Sequence, residues 1–88
     1  MAAGTYVGTG TATLPVSGPG EYSTVDVTIA SAASTSLVSL CPTSRVIDAN
    51  GEFTAYVSKK ATNTITVTAN RPQLPTAMTF QLIVWTGA

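Results

Sequence analysis

The sequence predicts an all-β fold: one compact antiparallel β-sandwich or flattened barrel of six to seven short strands. Three observations carry this. Apolar and polar residues alternate with period two in run after run. Clusters of Gly, Pro, Asn and Ser separate the runs. No segment keeps an apolar repeat of helical period over the length of a helix.

The first strand runs from Gly8 to Leu14, with Thr9, Thr11 and Thr13 on one face and Gly8, Gly10, Ala12 and Leu14 on the other. Glycines inside a strand predict a bend or a close neighbouring backbone. Pro15 to Gly20 is a turn-rich loop, and Val25-Asp26-Val27-Thr28-Ile29 alternates as a half-buried strand does. Ser31 to Ser36 is a connection of small residues, after which Ser36 to Cys41 forms an apolar strand stopped by Pro42. Arg45-Val46-Ile47 leads into Asp48-Ala49-Asn50-Gly51-Glu52, where Asn-Gly is a hairpin signal because both residues tolerate positive φ. Loops of two and of five residues both fit there, and they pair different side chains.

Phe53 to Ser58 alternates again, followed by a charged hairpin loop from Lys59 to Asn63. Thr64 to Ala69 is largely β-branched, with one apolar face and one face of threonine. Asn70 to Pro75 holds two prolines and reads as a loop. The last strand, Thr79 to Trp85, sets Phe80, Leu82 and Val84 against Gln81, Ile83 and Trp85, so both its faces invite cover. The expected core is Leu14, Val25, Val27, Ile29, Val38, Leu40, Phe53, Ala55, Val57, Ile65, Val67, Phe80, Leu82 and Val84.

At 88 residues there is room for one domain, spanning 1–88. A domain of this size hides roughly 60–65% of the surface of its unfolded chain, so it gains from disulfides, metals or partners. Cys41 is the only cysteine, which excludes an internal disulfide. Histidine is absent and no clustered ligands predict a metal or cofactor. Partners remain. Only 9% of residues are charged, against about 25% in ordinary domains. A surface of Thr, Ser, Ala and Gly costs little to desolvate against another protein.

Four cations, Arg45, Lys59, Lys60 and Arg71, give no electrostatic footprint for nucleic acid. No run is long enough for a transmembrane helix, and the start from Met1 to Tyr6 lacks the regions of a signal peptide. The expected site of synthesis is a cytoplasm, where a lone thiol stays reduced.

Candidate chemistry is sparse, and the expectation is a non-enzyme. Glu21 and Asp26 stand five apart without a further polar partner. Asp48-x-Asn50-Gly51-Glu52 places alternate oxygen donors around a glycine, but turn chemistry alone accounts for it. Cys41 has no base to activate it, Lys59-Lys60 reads as a solvated loop tip, and Ser17-Gly18-Pro19-Gly20 lacks the lysine of a phosphate loop. The aromatics are more informative. Alternation turns Trp85 away from Phe80, Leu82 and Val84, and Tyr56 away from Phe53 and Val57, while Tyr6 and Tyr22 flank loops. Tyr6, Tyr22, Tyr56 and Trp85 are therefore the candidate contact residues, since outward aromatics favour protein interfaces. Stacking on sugar rings is the alternative use, and closure of the core on both sides of the sheet the structural one.

The succession Gly10-Thr11-Ala12-Thr13-Leu14, Val25-Asp26-Val27-Thr28-Ile29, Val38-Ser39-Leu40-Cys41-Pro42, Gly51 to Ser58 and Phe80 to Trp85 resembles the small β-sandwich modules of tailed-bacteriophage virions. These include capsid decoration, or cement, proteins and the tips of tail fibres. The resemblance lies in strand rhythm over most of the chain and includes no signature for the capsid contact. It implies a non-enzymatic virion component made in the bacterial host cytoplasm. Such a component is commonly a homotrimer and stabilises the shell through contacts with the major capsid protein and with copies of itself. Length favours a decoration subunit over a fibre tip. A carbohydrate- or receptor-binding module of a tail fibre or other adhesin is the alternative function.

Overall fold

A computed structural model describes residues 5–49 and 51–86. They form eight antiparallel strands: β1 (Tyr6–Leu14), β2 (Tyr22–Thr28), β3 (Leu37–Pro42), β4 (Ile47–Asp48), β5 (Gly51–Glu52), β6 (Ala55–Ala61), β7 (Thr64–Pro72) and β8 (Met78–Trp85). The fold is all-β, with no helix among the described residues. Two three-stranded sheets, ordered β1-β8-β3 and β2-β7-β6, are supplemented by a β4-β5 hairpin. Six strands of six or more residues match the expected number, and the hairpin adds the two short ones.

The sheets bury the faces that alternation selects. β8 turns Met78, Phe80, Leu82 and Val84 inward, and β7 turns Ile65, Val67 and Ala69 toward them. Leu14, Val27, Ile29 and Phe53 complete the expected core. Val25, Val38, Leu40, Ala55 and Val57 sit at its margin, half-buried but packed against it. The expected core omits Ala12, Ala32, Val46, Leu74, Ala69 and Met78, all buried. Several of these lie in or beside connections that fold back over the open ends of the sandwich. Ala32 follows β2, and Leu74 is tied to the β1–β2 loop by two bonds, Ser17 N–H to the Leu74 carbonyl at 3.1 Å and Leu74 N–H to the Ser17 hydroxyl at 2.9 Å.

A bulge precedes Gly8, and at Gly10 the close neighbour is side chain, where the sequence predicts backbone. A Cβ on Gly10 would stand 2.9 Å from Val27 Cγ1 and 3.3 Å from Ile29. The β2 side of the core therefore rests directly on the β1 backbone, closing one corner of the sandwich.

Several boundaries differ from expectation. β1 starts at Tyr6, two residues early, after which a bulge separates the Tyr6–Trp85 pair from Gly8–Val84. Pro42 belongs to β3, opposite Phe80. β6 begins at Ala55 and continues through Lys59 and Lys60, so the expected charged loop is mostly strand. Only Thr62 and Asn63 separate the paired Ala61 and Thr64. β7 runs on through Pro72 and takes in Asn70, Arg71 and Pro72, the first three residues of the expected proline loop. At the second hairpin the register Ile47–Glu52 and Asp48–Gly51 leaves two residues, 49 and 50, as the loop. Asn50 itself lies outside the described residues.

Asn63 ties that end of the molecule together. At φ 59° its N–H donates to the Ala32 carbonyl at 2.8 Å, its carbonyl accepts from Ile29 N–H at 3.0 Å, and its side-chain Oδ1 accepts from Ser31 N–H at 2.9 Å. The β6–β7 turn is thereby stapled to the β2–β3 connection.

Candidate functional site

The two solvent faces of the sandwich divide the four candidate aromatics into pairs. On the β1-β8-β3 face, Trp85 occupies the central strand with Tyr6 opposite it on one side and Leu37 on the other. Residues directly opposite in a sheet share a face. Ile83 lies two residues before Trp85, on the same face of β8. Tyr6 and Leu37 are 61% and 51% exposed, whereas Trp85 and Ile83 are half-buried between them. The result is an apolar end on this face. From there the rows turn polar: Thr9, Ile83 and Ser39, then Thr11, Gln81 and Cys41. Leu37 was legible in the alternation that turns Val38 and Leu40 inward, yet only pairing reveals that it joins Trp85.

The β2-β7-β6 face is different in kind. Thr24, Thr68 and Tyr56 form one row, and Tyr22 lies two residues before Thr24, opposite Pro72 beyond a bulge. Both tyrosines are about half exposed. Around them the hydroxyls are joined: Thr24 Oγ1 and Thr68 Oγ1 at 3.1 Å, Ser58 Oγ and Thr68 Oγ1 at 2.8 Å, and Thr66 Oγ1 donating to Asp26 Oδ1 at 2.7 Å. β-Branched residues suit this strand, and their hydroxyls satisfy one another across it.

Between the β4-β5 hairpin and β7 lies a groove of about 480 Å³, lined by Asp48, Ala49, Arg71, Pro72, Gln73 and Pro75. Arg71 forms its floor. Its guanidinium grips Asp48 through two hydrogen bonds, of 3.1 and 3.3 Å, and donates to the Gly51 carbonyl at 2.9 Å. It also lies over the Phe53 ring, 3.9 Å from the centroid. A planar fork suits all of these contacts at once, which an ammonium could not satisfy. Glu52 in turn meets Arg45 at 2.6 Å. The carboxylates of the Asp48–Glu52 segment are thus each directed at an arginine; the Arg71–Asp48 pair ties the hairpin to β7, and the flanking Val46 and Phe53 anchor it in the core. Among the described residues, no three His, Cys, Asp or Glu side chains cluster as metal ligands.

The remaining sequence candidates are dispersed. Glu21 precedes β2 and Asp26 points to Thr66. Cys41 is exposed on β3 opposite Gln81. Lys60 Nζ donates to the Ser36 carbonyl at 2.7 Å. No arrangement of nucleophile, base and orienting group is assembled among these residues. Comparison with family models, with curated proteins and with solved structures finds no match to this chain.

Proposed function

We propose that the chain is a non-enzymatic structural subunit that works by contact, with copies of itself and with a larger protein lattice. The observation that carries this reading is the in-register row of Tyr6, Trp85 and Leu37, backed by Ile83, on an otherwise hydroxyl-rich and nearly uncharged surface. Large aromatics bordered by small polar residues are what a protein contact uses, because the rigid ring loses little entropy and the rim desolvates cheaply. The strand rhythm shared with phage virion modules directs the lattice to a capsid shell, with the major capsid protein as neighbour and a homotrimer as the self-associated form. Each copy adds a modest contact, and repetition over a shell multiplies it.

Light scattering behind a sizing column tests the self-association. The expected result is a multiple of the 9.0 kDa chain mass, with association weakened by Leu37→Ser, which alters an exposed side chain and leaves the core intact. A wild-type chain that stays at one chain mass up to near-millimolar concentration would sink the reading. Co-sedimentation with assembled capsid shells tests the lattice. A second reading has its own support in Tyr22 and Tyr56, which stand over the hydroxyl network of the β2-β7-β6 face. It makes the chain a sugar-binding module, and a glycan array on which Tyr56→Ala removes specific signal would favour it.

A further inference from the structure

A two-sheet sandwich has four edge strands, here β1 and β3 in one sheet and β2 and β6 in the other. An edge strand holds a row of N–H and C=O groups out to the side, and chains normally guard such edges with charges, prolines or bulges. Three of the four edges are guarded. β6 carries Lys59 and Lys60 and a bulge between Val57 and Lys59. β2 follows Glu21, starts with an irregularity between Tyr22 and Thr24, and carries Asp26. β3 is six residues long and ends on Pro42, with the Lys60 ammonium bonded to the Ser36 carbonyl just before it. β1 has nine residues, no charge and no proline, and its irregularity is confined to its first pair, leaving Gly8–Leu14 regular.

We infer that the outer edge of β1 is an interaction surface for a second copy of this chain. The two β1 strands pair antiparallel about a two-fold axis and join the sheets into one, ordered β3-β8-β1-β1-β8-β3. The inference rests on the reading that the chain self-associates, and it makes the paired unit a dimer where the virion resemblance implies a homotrimer, because a two-fold contact closes on two copies.

Charge selects the occupant. A two-fold contact sets each residue opposite itself or a near neighbour from the other copy, so any charged edge meets its own sign. A pairing axis at Lys59 or Lys60 would set lysine against lysine, and an axis at Asp26 would set aspartate against aspartate. β1 opposes threonine with threonine. With the axis at Gly10, Thr9 of each copy faces Thr11 of the other, a cross-strand pairing that is itself favourable. The same chemistry already joins Thr24 to Thr68 within the molecule. Beyond Val7, which packs against the core at the bulged start, the inward side of β1 carries only Gly8, Gly10 and Ala12 before Leu14, so no bulky side chain crowds the regular part of the edge. Beneath them, Val27 and Ile29 already close the corner.

The test compares self-association of the wild type with T9K/T11K, T9E/T11E and Leu37→Ser by sedimentation velocity over a wide concentration range. Thr9 and Thr11 are exposed, so circular dichroism of the charged variants is expected to match the wild type. Each charged variant alone weakens self-association by about tenfold or more, through two like-charge pairs. An equimolar mixture of the two restores it. In the wild type, amide hydrogen exchange of the β1 N–H groups that do not face β8 slows as concentration rises. If the charged variants associate as the wild type does while Leu37→Ser does not, the edge contact is overturned and the subunit reading stands. If the wild type never associates, both fall.

Discussion

Gly10 and Gly8 are neighbours on one face of β1, yet the structure assigns them different duties. A methyl on Gly10 meets Val27 Cγ1 at 2.9 Å, on a β-branched side chain with little freedom to yield. Gly10→Ala is expected to cost about 1–3 kcal/mol as overpacking. At Gly8 the nearest atom is Ile29 Cγ2 at 3.5 Å, an ordinary contact, and the backbone is outside the left-handed region. Gly8→Ala should instead raise stability by up to about 1 kcal/mol, through a less flexible unfolded chain. Urea unfolding of the two variants separates these signs, and equal effects would refute the close-approach account. Arg71 makes the second argument at this scale. Its pair with Asp48 leaves the two side chains 25% and 30% exposed, so the charges are partly desolvated and their contact is worth more than a surface pair. Arg71→Leu should destabilise by about 1–3 kcal/mol, and Asp48→Asn in the same chain should recover part of the loss. Strictly additive effects would show that the pair does not hold the hairpin. Nothing in the sequence announces Arg71: it follows two residues after a clear strand and before a proline, and its partner lies 23 positions away.

Strands were legible because period two is a local property. Val25 to Ile29, Thr64 to Ala69 and Thr79 to Trp85 display it within a few residues, and the sheets bury the faces it selects. Connections were not, since their fate depends on contacts across the chain. Lys59 and Lys60 read as loop by charge, but an edge strand tolerates lysine and the turn moved to Thr62 and Asn63. Likewise Tyr6, Leu37 and Trp85 lie tens of residues apart, and only the register of β1 and β3 on β8 gathers them into a patch. Asn63 shows how much one connecting residue can carry. Its positive φ favours Gly or Asn, while its Oδ1 bond to Ser31 N–H demands a side-chain acceptor there. Asn63→Gly should therefore lose only the side-chain bond, about 1 kcal/mol. Asn63→Ala should lose the bond and incur left-handed strain as well, about 1–2 kcal/mol more. Thermal melts that rank alanine as the milder change would contradict this account.

At the scale of the whole molecule, extents of 45 × 19 × 17 Å describe a slender body whose core is one layer of side chains between two three-stranded sheets. Little is left inside to gain, and the unspent stabilisation lies outside: the apolar row at Tyr6, Trp85 and Leu37 and the unguarded backbone of β1. Neither depends on charge. With four basic and four acidic residues and a net charge of zero, long-range repulsion between copies is absent and salt has little to screen. If association uses these two surfaces, raising sodium chloride from low to several times physiological strength leaves the self-association constant within about twofold. Sulfate at equal ionic strength strengthens it, because excluded salts favour burial of apolar surface. Charge-led association predicts the reverse: roughly tenfold or greater weakening in either salt as screening grows. Concentration series in the two salts thus separate assembly through apolar surface and backbone pairing from assembly through the exposed ion pairs.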